Sequence, residues 1–138
     1  MAHLLDTCVW IDVERGALAP GDIAALTHGE NIFLSPVTLA ELRFGAEIAP
    51  PALRQQRLAA IARIEGKPLL VVDRATGMIF GALAAAMHSG GRKPRKRVQD
   101  LWLASQALQH GCTLLTRNPE DFAGLPGLRL ADYSLPAR

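Results

Sequence analysis

Short apolar runs recur along this chain, none longer than a strand, and helical signals fill the segments between them. The runs are "HLL" at 3–5, "NIFLS" at 31–35, "LLVV" at 69–72, "CTLLT" at 112–116 and "LRLAD" at 128–132. Between the second and third, Ser35 is placed to cap a helix with Pro36 at its first position, and Pro50 and Pro51 end that helix and open another over 51–65. Asp73 is placed to cap "RATGMIFGALAAAMHSG", and Gly111 stops a further helix over 98–110. "APGDIAALTHG" carries the same capped, periodic look, and "CVWIDVERG" reads as a loop or short helix ending near Gly16. Strands alternating with helices of about three turns predict an α/β fold. Its mostly parallel sheet has about five strands and is covered on both faces.

The rest of the chain agrees with one such domain over residues 1–138. A 49% hydrophobic and 20% charged composition describes a globular chain with a proper core. No apolar run approaches a membrane span, and no basic leader precedes "LLDT". Cys8 and Cys112 are too few for a disulfide scaffold and read as small core residues, so a reducing cytoplasm is the expected setting. His3, His28, His88 and His110 are scattered, and no phosphate-loop or dinucleotide glycine pattern occurs.

Polar residues stand where those strands end. In open parallel sheets, sites form beyond the carboxyl ends of the strands. Asp6 directly follows the first strand, and "TRNPED" brings Asn118 and Asp121 to the same edge after the fourth. Glu41 lies about two turns into the helix after strand two, and Asp100 lies in the first turn of the helix after strand three's crossover. Singly, each has a plain structural reading: a turn cap, a solvent-facing acid, a helix-dipole partner. Together they form a carboxylate cluster that repels itself unless protons or cations compensate. A hard divalent cation suits an all-oxygen donor set.

Charge is uneven along the chain. The formal net charge is only +2, yet five of the six residues in "RKPRKR" at 92–97 are basic. Such a segment attracts a polyanion or an acidic partner, or it is a solvated loop. Trp10 and Trp102 are read as core or subunit packing ahead of base stacking.

The ordered set "LLDTCVWI", "LSPVTLAELRFGA" and "DLWLASQALQHGCTLLTRNPEDFAGLPGLRL" resembles the PIN-domain ribonucleases, especially toxins of the VapC kind from bacterial toxin–antitoxin pairs. The resemblance spans almost the whole chain and implies a PIN-like three-layer α/β/α sandwich. It implies that Asp6, Glu41 and Asp100 are metal-binding acids, with Asp121 as the fourth and Asn118 as a neutral hydrogen-bonding residue beside it. Thr7 and Thr116 match polar residues supporting the site. The implied cofactor is Mg2+, with Mn2+ as the substitute, and the implied activity is hydrolysis of RNA phosphodiesters. Arg92, Lys93, Arg95, Lys96 and Arg97 are the candidate RNA phosphate contacts. Arg117 is another, or else it orients a site carboxylate.

The same resemblance implies a homodimer and a cognate VapB-type antitoxin contacting the helices over 36–48 and 51–65. Operator DNA is bound only through the toxin–antitoxin complex. A noncatalytic PIN-like module binding RNA or protein is the alternative, but such a scaffold has no need of converging acids. A phosphatase or DNA nuclease on a similar sheet is a further rival. A covalent aspartyl phosphatase expects a second aspartate close behind the first, and Asp12 is too distant.

Overall fold

In the computed structural model, which describes residues 1–135, four strands form one sheet in the order β2-β1-β3-β4. They are β1 (His3–Leu5), β2 (Ile32–Phe33), β3 (Thr113–Thr116) and β4 (Leu130–Asp132). Every pairing is parallel. Six helices accompany them: α1 (Thr7–Glu14), α2 (Pro20–Leu26), α3 (Pro36–Glu47), α4 (Pro51–Ile64), α5 (Arg74–Ser89) and α6 (Val98–Gln109). No helix among the described residues is long and apolar enough to cross a membrane.

Consecutive strand residues point to opposite faces, and the packing follows that alternation. Leu4 and Leu114 enter one core with Leu83, Met87, Leu101 and Ala104 from α5 and α6. Leu5 and Leu115 enter a second core with Val9, Trp10 and Ile23 from α1 and α2. The sheet therefore has an apolar layer on each side, which is the three-layer sandwich. Burying a leucine fully is worth about 1.5–3 kcal/mol, so the four fully buried strand leucines anchor both layers.

Two caps form where the sequence places them. Ser35 Oγ accepts the Val37 amide at 3.1 Å, and Pro36 follows at the first helical position of α3. Asp73 accepts the Thr76 amide at 3.2 Å while the Thr76 hydroxyl is bonded by the Asp73 amide, closing a reciprocal capping box. α1 is a regular helix rather than a loop, with Asp6 as its N-cap.

The expected strand at 69–72 does not form. Only Leu69 bridges to Leu34, through hydrogen bonds from Leu34 N to Pro68 O and from Leu70 N to Leu34 O. The reason lies in its neighbour. After Leu34 the chain turns at Ser35 and Pro36 into α3, and proline has no amide hydrogen to extend a ladder. Val71 and Val72 are left exposed, and the sheet has four strands instead of about five. Buried Gln106 secures the segment from the other side, donating Nε2 to Leu70 O at 2.6 Å and accepting from Ser35 Oγ.

Candidate active site

Register brings the first two site residues together. Leu5 pairs with Leu115, so the next residues, Asp6 and Thr116, stand side by side where β1 and β3 end. The Asp6 amide continues the ladder to Leu115 O at 2.9 Å. Both Asp6 oxygens are then fixed: Oδ1 accepts the Thr7 amide at 2.7 Å, and Oδ2 accepts the Thr116 hydroxyl at 2.8 Å. Cys8 Sγ lies 3.6 Å from Oδ2 on the remaining side.

Thr7 carries the site to a second element. Its hydroxyl donates to Glu41 Oε1 at 3.1 Å and sits 2.9 Å from the hydroxyl of fully buried Thr38. Thr38 and Glu41 are three residues apart on α3 and share a face. Since the Thr7 proton goes to Glu41, Thr38 is the donor in the threonine pair. Glu41 is half-buried and turned inward, so it is not a solvent-facing acid.

Asp100 comes from the first turn of α6, and Asp121 from a 3-10 turn at Pro119–Phe122 after β3. That turn is held in three ways. Asn118 donates its amide to Thr116 Oγ1 at 3.0 Å and accepts the Asp121 amide at 3.1 Å. Arg92 donates to the carbonyls of Asp121 and Ala123, each at 3.1 Å. Arg97 Nη1 lies 3.0 Å from Asp121 Oδ1 and 3.6 Å from Asp100 Oδ2.

The electrostatics register the crowding. Asp100 is pushed up to about 6, by burial first and then by the charges of Asp6 and Asp121, with Arg97 opposing. Burial raises Asp6, against the hydrogen bonds from Thr116 and Thr7, and Asp121 adds to the rise. Burial raises Glu41 as well, with Thr7 opposing and Asp6 adding its charge. The four acids thus feel one another across four elements. No three His, Cys, Asp or Glu side chains among the described residues are already gathered into a metal cage. Asp100 and Asp121 are instead joined through the Arg97 guanidinium.

The basic segment divides into distinct roles. Arg92 and Arg97 are engaged at the site, while Lys93, Arg95 and Lys96 are exposed and make no ion pair among the described residues. Arg117 turns away from the four acids. Its Nη1 lies 2.9 and 3.0 Å from the two oxygens of Asp12, whose Oδ2 also accepts the Tyr133 hydroxyl at 2.8 Å. Its backbone amide meets Cys8 Sγ at 3.5 Å.

Thr38 and Tyr133 were not singled out from sequence, and Arg117, expected to contact RNA or to orient a site carboxylate, pairs with Asp12 instead. Thr38 was findable from its three-residue spacing to Glu41. Cys8, read as a core residue, is half-buried in the first turn of α1 beside the Asp6 cap. Nothing local in the sequence marks Asp12 as buried. Trp10 packs in the core, and Trp102 stacks at a tilt on Phe80 with ring centroids 4.3 Å apart.

Fold and acids together define a class: a parallel α/β sandwich with an acidic centre at the carboxyl edge of its sheet. A family model of the PIN domain matches residues 3–128, and the chain belongs to that family. It is 34% identical to Ribonuclease VapC5 of Mycobacterium tuberculosis over 132 aligned residues, covering 91% of this chain and 89% of that one. The structure of VapBC-5 from Mycobacterium tuberculosis aligns at TM-score 0.76 and 30% identity, over 96% of this chain and 98% of that one. VapBC2 from Rickettsia felis, bound to a DNA fragment from its promoter, shares the fold at TM-score 0.83 and 20% identity, over 97% and 100% of the two chains.

Proposed function

We propose that this protein is a divalent-metal-dependent endoribonuclease, a toxin of the VapC kind that hydrolyses RNA phosphodiester bonds. The observation that carries the reading is the convergence of Asp6, Glu41, Asp100 and Asp121 beside a basic segment, in a chain related to a named ribonuclease. The donor set is all oxygen, and the Asp6 and Asp100 carboxyls are raised by burial first and then by neighbouring carboxylate charge, so a hard cation such as Mg2+ or Mn2+ fits the set. Asp6, Glu41, Asp100 and Asp121 would hold the ion. When bound, it supplies Lewis acidity that polarises the phosphodiester and eases deprotonation of the attacking water.

The chain's own residues prepare that chemistry. Thr116, Thr7 and Cys8 aim Asp6, while the Thr38–Thr7 relay aims Glu41. Such supporting hydrogen bonds matter because they fix the direction of each ligand. Arg92 and Asn118 hold the turn that presents Asp121. Lys93, Arg95 and Lys96 stand exposed, able to contact successive phosphates of an RNA strand, which strengthens binding without reading sequence.

A cognate antitoxin neutralises the enzyme in this reading. A cleft of about 500 Å³ runs between α1, α3 and α4, lined by Ile11, Arg15, Glu41, Leu53, Arg57 and Ile61. Glu41 lines it, and Phe44 on α3 and Ile48 just beyond the end of α3 stand exposed. An antitoxin arm laid along the cleft would reach the site at Glu41. DNA binding would then belong to the toxin–antitoxin complex, the enzyme being a homodimer acting in the cytoplasm. The test is cleavage of a panel of structured RNAs by antitoxin-free protein, with chelator, Mg2+ or Mn2+. Cleavage that needs metal and disappears in folded D6N and D100N supports the ribonuclease. A folded, RNA-binding protein that cleaves nothing with any metal would favour the noncatalytic binding module.

A further inference from the structure

Among the five basic residues at 92–97, Arg97 alone contacts site carboxylates. Its guanidinium joins α6 to the 3-10 turn through one nitrogen, 3.0 Å from Asp121 Oδ1 and 3.6 Å from Asp100 Oδ2. It is neither locked in place nor fully solvated, since its side chain is 40% exposed while those of Asp100 and Asp121 are 22% and 27% exposed. Arg97 also stands directly before α6, at its N-cap, so its backbone is fixed while its long stem can turn.

We propose that Arg97 is the resident counter-ion of the acidic centre, displaced from Asp100 and Asp121 when a divalent cation binds and thereby released to a substrate phosphate. The inference rests on the proposed metal-dependent ribonuclease. In the metal-free protein a single positive charge offsets part of the repulsion among the acids. A divalent cation brings two charges to the same oxygens. Guanidinium and cation then compete for those oxygens and repel each other. A phosphate entering beside the acids offers the freed guanidinium a forked pairing that suits its planar donors. Metal binding and RNA binding are in this way coupled through one side chain, and Asp100 and Asp121 exchange one cation for another.

The experiment titrates Mn2+ into wild-type, R97Q, R97K and R95Q proteins, following the spectroscopic signal of free Mn2+. R95Q removes a charge from the same segment without touching an acid, so it measures the general field alone. Loss of a partly exposed competing ion pair predicts about threefold to fivefold tighter Mn2+ binding by R97Q, with R97K between the two and R95Q near wild type. In a D121N background the effect of R97Q shrinks, because part of the competition has been removed. Binding of an uncleavable 2′-O-methyl RNA, stimulated by Mn2+ in wild type, loses most of that stimulation in R97Q. Equal or weaker Mn2+ binding by R97Q, or an equal gain in R95Q, overturns the proposal. Failure of wild-type protein to bind Mn2+ at all overturns the metal-centre reading beneath it, a result separable from the first.

Discussion

Thr7 serves two acids at once: its amide caps Asp6, and its hydroxyl orients Glu41. Replacing it with valine keeps the shape and the amide but removes the hydroxyl. Glu41 then loses its donor, and the fully buried Thr38 hydroxyl loses its partner. We expect T7V to fold, with a stability loss of about 1 kcal/mol from the stranded hydroxyl. Metal affinity or cleavage should fall on the order of tenfold, and T7S should restore most of it. Calorimetric metal titration beside a melting curve separates the two effects.

Asp100 makes a pH prediction of definite sign. Its carboxyl is raised to about 6 in the folded protein, from an ordinary value of 3.8. Between those values the native state holds the proton more tightly than the unfolded chain, so this group's contribution falls as pH rises. Above about 6 the charged acid destabilises the metal-free fold; below the ordinary value the effect is gone. His3 works in the opposite direction, since burial lowers it and the unfolded chain binds its proton more readily. The comparison is therefore wild type against D100N in chelator. D100N should be the more stable by roughly 1–2 kcal/mol at pH 7, after allowing for partial screening, with the gap closing towards pH 4. A gap that widens on acidification contradicts the assignment.

At the scale of elements, local chemistry was legible wherever one side chain decides the outcome. Ser35–Pro36 and Asp73 announce helix starts, and the acids after β1 and β3 announce a site edge. The "LLVV" segment misled because a short apolar run ending in two valines meets the local criteria for a strand, while the missing partner depends on where β2 stops. The Asp12–Arg117–Tyr133 network was illegible for a similar reason. It joins α1, the loop after β3 and the chain beyond β4, which only the folded topology brings together. Asp12 is buried, and the Tyr133 phenol is raised by burial first and then by its hydrogen bond to Asp12. R117M should destabilise the fold by about 3 kcal/mol, because it leaves that carboxylate without its cation. Adding D12N should recover part of the loss in denaturant melts. An R117M protein as stable as wild type would show that the network does not tie the turn to α1.

The whole molecule places opposite charges next to each other: an acidic centre at the sheet edge and, on the segment beside it, three cations without an ion pair among the described residues. A polyanion is then attracted by the segment and repelled by the acids until a cation intervenes. Replacing Lys93, Arg95 and Lys96 with glutamine should weaken RNA binding across unrelated sequences. The slope of log affinity against log salt should flatten by about 0.7 for each side chain that no longer neutralises a single-strand phosphate. An unchanged slope would place the RNA elsewhere. The order of acids along the chain was readable from sequence, as was their shared edge. The division of labour among the basic residues was not, because Arg92 and Arg97 differ from their neighbours only in what the fold sets opposite them.

The most direct measurement is an anomalous difference map from crystals of the antitoxin-free protein soaked in Mn2+. A peak among the carboxylates of Asp6, Glu41, Asp100 and Asp121 is expected, with the Arg97 side chain withdrawn. Saturating Mn2+ that leaves no peak among these acids, or places it at another part of the surface, would contradict the claim that they form one metal centre.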